Sequence, residues 1–217
     1  TKFPQDRQVQ ERSYRLNPAH RSLFDDVLAY VRGQVRDTSG TKLEQRVRWW
    51  SALSLLRAVA SSPAAARATL ATRSASASAE TAAAADELGR AEILDLAEDD
   101  ALDGADSTPG AVADVEPGTS SRRVLSRLHK QAAELEAAPK DDPKLALLVT
   151  EIKRLLTDKT RPTGFHPIVF CRFIQTAHYV TAALRTQLPK GVTVEVVTGE
   201  LAADERSARV TELVEQA

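Results

Sequence analysis

The sequence predicts an α/β chain, in which a helical N-terminal half precedes the first two parallel strands of a sheet. Apolar residues recur at spacings of three or four across residues 18–73 and 121–157, which is the period of a helix. The short apolar run 166–171 and the β-branched stretch 192–197 break this period and alternate with helical stretches near 176–188 and 204–215. This strand–helix–strand–helix order with short connections is typical of a parallel βαβ unit. Because two parallel strands leave their edges uncovered, we expect them to belong to a larger sheet.

Helix starts are marked by capping residues followed by proline or glutamate. Asn17-Pro18, Ser62-Pro63 and Asp142-Pro143 each pair a side chain that accepts from free amides with a proline at the first helical position. Thr41 and Glu44 match a capping box. The predicted buried faces include Leu23, Val27 and Val31 in the first helix, Trp50 in the second, and Leu145, Val149 and Ile152 after Asp142. Trp49 points about 100° away from Trp50 and is expected to face a neighbouring part of the protein.

Charge is segregated along the chain. Residues 80–116 hold twelve acidic residues and one basic residue, for a net charge of -11, and the remaining chain has 28 basic and 18 acidic residues, for +10. The alanine-rich and acidic stretch 74–120 has no aromatic residue and is predicted to be a flexible insertion, with helical propensity near 82–96. The basic remainder suits a partner with a phosphate backbone. Arg122, Arg123, Arg127 and Lys130 share a helix and form a basic face, either for phosphate contact or for solvation.

Composition excludes several classes of site. No apolar run approaches the roughly 20 residues of a transmembrane helix, and residues 1–7 do not resemble a signal peptide. The single Cys171 excludes an intramolecular disulfide and favours a reducing, cytoplasmic setting, and its place in a predicted buried strand favours a structural thiol over a nucleophile. The four histidines (His20, His129, His166 and His178) have no carboxylate or cysteine at ligand spacing, so no metal site is expected.

Three segments of the C-terminal third carry a family resemblance. They are Asp142-Pro143-Lys144 before a leucine-rich helix, Ile168-Val169-Phe170-Cys171-Arg172-Phe173, and Val197-Thr198-Gly199-Glu200 followed by Glu205-Arg206. In this order they resemble the opening of the second RecA-like lobe of Swi2/Snf2-type ATPases of helicase superfamily two, with the second segment as motif IV. More weakly, Phe3-Pro4 with residues 14–24 resembles the end of the first lobe. Residues 48–53 and 61–64 resemble a bacterial branch of these ATPases that includes the helicase-like subunit of DISARM-type phage-defence systems.

The resemblance implies a division of the chain. Residues 1–73 would be the helical end of the first lobe and the inter-lobe helices, and 74–120 the acidic insertion. Residues 121–140 would be a connecting helix, and 141–217 the start of the second RecA-like lobe. The chain would then be a fragment of an ATP-dependent DNA helicase or translocase whose cofactors are ATP and Mg²⁺. Its partners would be double-stranded DNA, the rest of the two lobes and subunits of a defence system.

The resemblance also implies which residues contact nucleic acid. Arg172, Thr198, Gly199 and Arg206 would contact the backbone, and a hydroxyl, an amide beside glycine and a guanidinium are suitable phosphate donors. The fragment lacks the catalytic machinery: Ser39-Gly40-Thr41-Lys42 follows a helix and lacks the first glycine of a Walker A motif, and no Asp-Glu pair ends an apolar strand. An arginine finger is also missing, so we expect no ATP hydrolysis and no bound cofactor in these residues alone.

Two other functions remain open on the sequence. One is a non-catalytic scaffold or binding module whose βαβ unit is unrelated to a motor. The other is a small α/β enzyme that uses Cys171, which the residues around the thiol support less well.

Overall fold

The computed structural model describes residues 9–39, 42–76, 119–160 and 165–215. Over these ranges the chain forms seven α-helices: α1 (Pro18–Arg36), α2 (Lys42–Ser61), α3 (Pro63–Ser76), α4 (Thr119–Glu136), α5 (Pro143–Thr157), α6 (Ile174–Gln187) and α7 (Ala203–Glu215). A single 3-10 turn, Pro139–Asp141, separates α4 from α5. The two ends of the predicted insertion 74–120 are helical, since 74–76 belong to α3 and 119–120 to α4. Residues 77–118, the Thr41 cap and the side chain of Trp50 fall outside the described residues.

The predicted helix caps are confirmed where the structure describes them. Asn17 accepts a hydrogen bond from the backbone amide of His20 at 2.9 Å. The Ser62 hydroxyl accepts from the amide of Ala65 at 3.1 Å at the start of α3. Each of these side chains satisfies one of the amides that a helix start leaves without an intrahelical partner.

Helices α1 to α4 form one bundle with its own apolar core. The core contains Leu23, Val27 and Val31 of α1, as predicted, together with side chains of the other three helices. Four leucines of this bundle are completely enclosed: Leu55, Leu70, Leu125 and Leu128. We call these four helices the bundle.

A second apolar core lies between α5 and α6. Leu145, Val149 and Ile152 of α5, the predicted buried face, pack against Val180 and Leu184 of α6. The extended chain beside the two helices adds Val169, Cys171 and Val194 to this cluster. We call it the C-terminal core.

The prediction of two parallel β-strands is wrong for the described residues. Residues 166–171 and 192–197 run without assigned secondary structure, and no strand is assigned anywhere in the described ranges. The opening βαβ unit of a RecA-like lobe is therefore not formed in the described chain. The α/β class is corrected to an all-helical one over these ranges.

The physical reason is that an apolar, β-branched run favours an extended backbone locally, whereas a sheet also needs a second backbone to pair with. Here the carbonyl of Val194 accepts instead from the Arg185 side chain, at 2.8 Å. The prediction that the run 166–171 is buried on both faces is also wrong. Val169 and Cys171 contact the C-terminal core, but Ile168 and Phe170 are 75% and 92% exposed.

Candidate functional site

The helix directions in the bundle bring four distant segments to one end. Arg67, in the first turns of α3, forms an ion pair with Glu136, the last residue of α4, so these helices are antiparallel. The chain reverses at Ser62 between α2 and α3, and farther along the pair Arg73 of α3 donates to the carbonyl of Ser51 in α2. These two helices are therefore antiparallel as well. Helix α1 packs against α2, and because only residues 37–41 connect them, the two helices are antiparallel.

Contacts between α1 and α4 complete this geometry. The middles of the two helices meet where Gln131 donates to Asp26 at 3.1 Å. The start of α1 lies beyond the end of α4, where Asn17 donates to the carbonyl of Asp141 at 2.7 Å. The end of α1, the start of α2, the end of α3 and the start of α4 therefore share one end of the bundle.

The net positive charge of the bundle lies entirely at that end. We call it the basic end and define it as residues 32–39, 42–48, 70–76 and 119–127. By sequence it has nine basic residues, eight of them arginine, and two acidic ones, whereas the rest of the four helices has four of each. The bundle is thus +7 at one end and neutral at the other.

Seven of the eight arginines of the basic end divide into two groups, and the side chain of the eighth, Arg46, lies outside the described residues. Arg48 and Arg73 are buried and serve the fold: Arg48 donates to the carbonyls of Asp37 and Ser39 at 2.7 and 2.6 Å. The second group is exposed and comprises Arg32, Arg36, Arg122, Arg123 and Arg127. Within it, Arg127 lies 3.9 Å from Asp26, a distance at which an exposed ion pair contributes little stability.

The opposite end of the bundle meets the C-terminal core at a network of polar side chains. Asp142, which is buried, caps α5 by accepting from the amides of Lys144 and Leu145 at 2.9 and 3.1 Å, and it also accepts from the Tyr179 hydroxyl at 3.1 Å. Lys144 Nζ donates to the carbonyls of Ala60 and Ser61, both at 2.9 Å. This confirms the predicted Asp142 cap and shows that the residue also joins two helices.

Hydroxyl groups complete this network, which we call the joint (Ser61, Ser62, Asp142, Lys144, Thr176 and Tyr179). Thr176 Oγ1 lies 2.8 Å from the Ser61 hydroxyl and 2.7 Å from that of Ser62. Burial and the neighbouring Asp142 carboxylate raise the pKa of Tyr179 well above its ordinary value. The joint is therefore a fixed contact between the bundle and the C-terminal core.

A cavity of about 490 Å³ lies beside the joint, and Cys171 lines it with Lys144 and Arg172. Burial raises the pKa of the Cys171 thiol, although the Lys144 ammonium opposes this. A raised pKa reduces the thiolate fraction, and the thiolate is the nucleophile. These surroundings favour the structural interpretation of Cys171.

The structure places the four predicted backbone contacts in the C-terminal part, away from the basic end. Arg172 is exposed and precedes α6, and Arg206 lies half-buried in the first turn of α7. Thr198 Oγ1 donates to the Glu200 carboxylate at 3.3 Å, which puts a negative charge beside a proposed phosphate donor. A Cβ on Gly199 would meet no atom within 4 Å, so packing does not itself require glycine there.

One further contact ties two of these positions together. His178 Nε2 lies 3.7 Å from the Glu200 carboxylate, so the turn containing Thr198 and Gly199 lies against α6, the helix that follows Arg172. Contact of these residues with nucleic acid stays a prediction.

Sequence reasoning noticed Arg122, Arg123 and Arg127 but missed Arg32 and Arg36. Part of the signal was in the sequence, because short connections at 37–41 and at Ser62 make α1, α2 and α3 antiparallel neighbours. The direction of α4, which begins 43 residues after the end of α3, is decided only by its packing against α3.

The described residues contain neither a metal-binding cluster nor a membrane-spanning helix. No group of three or more histidine, cysteine or acidic side chains there is arranged to hold a metal ion. Within the same ranges, no helix combines the length and the apolar character needed to span a membrane.

In comparisons with known proteins, no family model, curated protein or solved structure matches the chain. The likeness to Swi2/Snf2-type ATPases therefore remains a prediction from short motifs.

Proposed function

We propose that this chain binds the phosphate backbone of a nucleic acid through the basic end, as a non-catalytic part of a larger protein. The observation that supports this most strongly is the convergence of nine basic and two acidic residues at one end of the bundle. The exposed cations that the structure describes there are all arginines, and their planar guanidinium groups suit bidentate contacts with phosphate oxygens.

The size of the basic end also suits an extended polyanion. Packed helices lie 8–10 Å apart, so four helix ends cover roughly 20 Å. Double-stranded DNA carries one charge per about 1.7 Å of axis, so such a surface faces about a dozen phosphate charges. The joint fastens the C-terminal core at the opposite end of the bundle.

The test is a salt titration of DNA binding with the double variant Arg122→Gln/Arg123→Gln. Both side chains are exposed, so the substitution should leave the fold intact. We expect roughly tenfold or greater loss of affinity for a short duplex at low salt. The slope of log affinity against log salt should fall by up to about 2, since two phosphate contacts are lost. Fluorescence anisotropy of a labelled duplex measures both quantities.

The matched control is Lys153→Gln/Lys190→Gln, which removes two exposed cations from the C-terminal part. It should lower affinity far less. Equal losses in the two double variants would mean that net charge alone governs binding and would reject the basic end as the site. Repeating the titration with duplex RNA and single-stranded DNA tests the preference for double-stranded DNA.

A narrower form of the proposal concerns the parent protein. The motif resemblance supports an ATP-dependent DNA helicase or translocase that uses ATP and Mg²⁺, acts in the cytoplasm and works with phage-defence subunits. In it, Arg172, Thr198, Gly199 and Arg206 would add backbone contacts. The parent should then hydrolyse ATP faster when duplex DNA is present. Absence of hydrolysis with Mg²⁺, ATP and DNA would reject the helicase or translocase activity, whereas the proposal that the basic end binds nucleic acid would still hold.

A second candidate, a scaffold or binding module, is favoured by one observation. Ile168 and Phe170 expose large apolar side chains on one side of an extended segment, and such exposure often marks a contact with another protein. The DNA titration separates the two candidates, because a scaffold shows no salt-dependent affinity that Arg122 and Arg123 control.

A further inference from the structure

The acidic stretch, residues 80–116, is attached to the chain at the basic end. Helix α3 ends at Ser76 and α4 begins at Thr119, and the antiparallel packing of these helices puts both residues at the same end of the bundle. The stretch itself lies outside the described residues. Its twelve acidic residues and one basic residue therefore leave and re-enter the bundle beside the nine basic residues of the basic end.

We propose that the acidic stretch docks on the basic end of its own chain and competes there with nucleic acid. This inference rests on the proposed function, since it assigns regulation to the same surface. The occupant is specified by charge: the stretch is -11 and the basic end +7. When docked, the two together carry a net charge of -4 and repel a polyanion instead of attracting it.

The connectivity allows this contact without any rearrangement of the helices. Glu80 follows Ser76 by four residues and Glu116 precedes Thr119 by three. Since a residue spans at most about 3.6 Å, both carboxylates lie within about 15 Å of a helix end. Attachment at both ends gives the stretch a local concentration on the order of millimolar, so weak charge pairing is sufficient for occupancy.

The exposed arginines of the basic end are the groups that the stretch would contact. Arg32 and Arg36 are at the end of α1, and Arg122 and Arg123 are in the first turns of α4. A guanidinium pairs with a carboxylate by the same two-pronged geometry that it uses for phosphate. The two ligands therefore compete for the same donors.

The test uses the full chain with four carboxylates of the stretch neutralised. The variant is Asp99→Asn/Asp100→Asn/Asp103→Asn/Asp106→Asn. Its matched control changes the charge equally at four exposed carboxylates outside the basic end and away from Thr198, Gly199 and Arg206: Glu134→Gln/Asp141→Asn/Glu212→Gln/Glu215→Gln. We expect the stretch variant to bind duplex DNA at least about fivefold more tightly at low salt, and to show a steeper salt dependence. Equal gains in both variants, or no gain in either, would overturn the inference.

A second measurement separates this inference from the proposed function. A labelled synthetic peptide with the sequence of residues 80–116 is titrated onto the neutralised chain with and without Arg122→Gln/Arg123→Gln. We expect binding that the arginine substitutions weaken severalfold. If the chain binds the peptide but no nucleic acid, the docking holds and the proposed function fails. If it binds nucleic acid but not the peptide, the docking fails and the proposed function stands.

Discussion

The bundle and the C-terminal core are built from helices of similar length, yet they enclose their side chains to different degrees. Leu55, Leu70, Leu125 and Leu128 in the bundle have no exposed surface, whereas even the most buried side chains of the C-terminal core, those of α5 and α6, keep between 3% and 9%. Four helices surround the first core, and two helices with extended chain surround the second. A side chain is fully enclosed only when helices or strands pack around it on every side. The C-terminal core has fewer helices around it, so its side chains stay partly exposed to solvent.

The two regions also differ in charge. Helices α1 to α4 with their short connections are +7, and residues 139–215, with eleven basic and ten acidic residues, are +1. The near-neutral C-terminal part contains ion pairs between its own residues. The Glu195 carboxylate, for example, forms ion pairs with Arg185 at 3.0 Å and with Arg209 at 3.3 Å. Surplus cations remain at the basic end, and this is what makes that end, and not the C-terminal part, the stronger candidate for an anionic partner.

The largest effect is expected from truncating the enclosed core. Leu125→Ala should lower the free energy of unfolding by about 4–5 kcal/mol, because a completely buried leucine leaves a cavity that its neighbours cannot fill. Leu145→Ala in the C-terminal core, which is more open, should cost about 2–3 kcal/mol. Urea denaturation followed by circular dichroism measures both, and equal losses would contradict the difference in enclosure.

The next largest effect is expected at the joint, because it connects the bundle to the C-terminal core. Asp142→Ala removes the cap of α5 and leaves the half-buried Tyr179 hydroxyl without its acceptor, which should cost about 2–4 kcal/mol in the free energy of unfolding. Asp142→Asn keeps an oxygen for the cap and should cost less. Equal losses in the two variants would show that the cap does not matter.

The same pair of variants predicts a change in titration. Asp142→Asn removes the carboxylate charge that helps to raise the pKa of Tyr179, so an ultraviolet pH titration should show this phenol ionising at lower pH. Because the folded state holds the phenol protonated, the stability from this contact is complete below the ordinary tyrosine pKa of about 10. It is lost as the pH rises through the raised value.

The smallest effect is expected at the extended segment. Phe170→Ser should change the free energy of unfolding by less than about 0.5 kcal/mol, because the side chain is 92% exposed. Val169→Ala, one residue earlier and facing the C-terminal core, should cost about 1 kcal/mol. Thermal denaturation compares the two, and a larger loss at Phe170 would mean that this side of the segment is covered after all.

The predictions that proved right concern local signals. The Asn17, Ser62 and Asp142 caps, each followed by proline, mark helix starts because a capping oxygen reaches amides only two or three residues away. The buried faces of α1 and α5 follow from the helical period. The strands proved wrong because the preference of Val169 or Val194 for an extended backbone is local, whereas pairing needs a partner that the described chain does not present.

By itself, the sequence determined where the helices begin, which faces they bury, and that twelve carboxylates are separated from a basic remainder. Only the tertiary structure decided where that basic remainder collects. Arg36 and Arg122 are far apart along the chain, and they reach the same end of the bundle because antiparallel packing reverses the chain at 37–41, at Ser62 and across 77–118. Capping and helical periodicity act within a single helix. Which helix ends meet depends instead on how the apolar faces of different helices pack, and this involves residues far apart in the sequence.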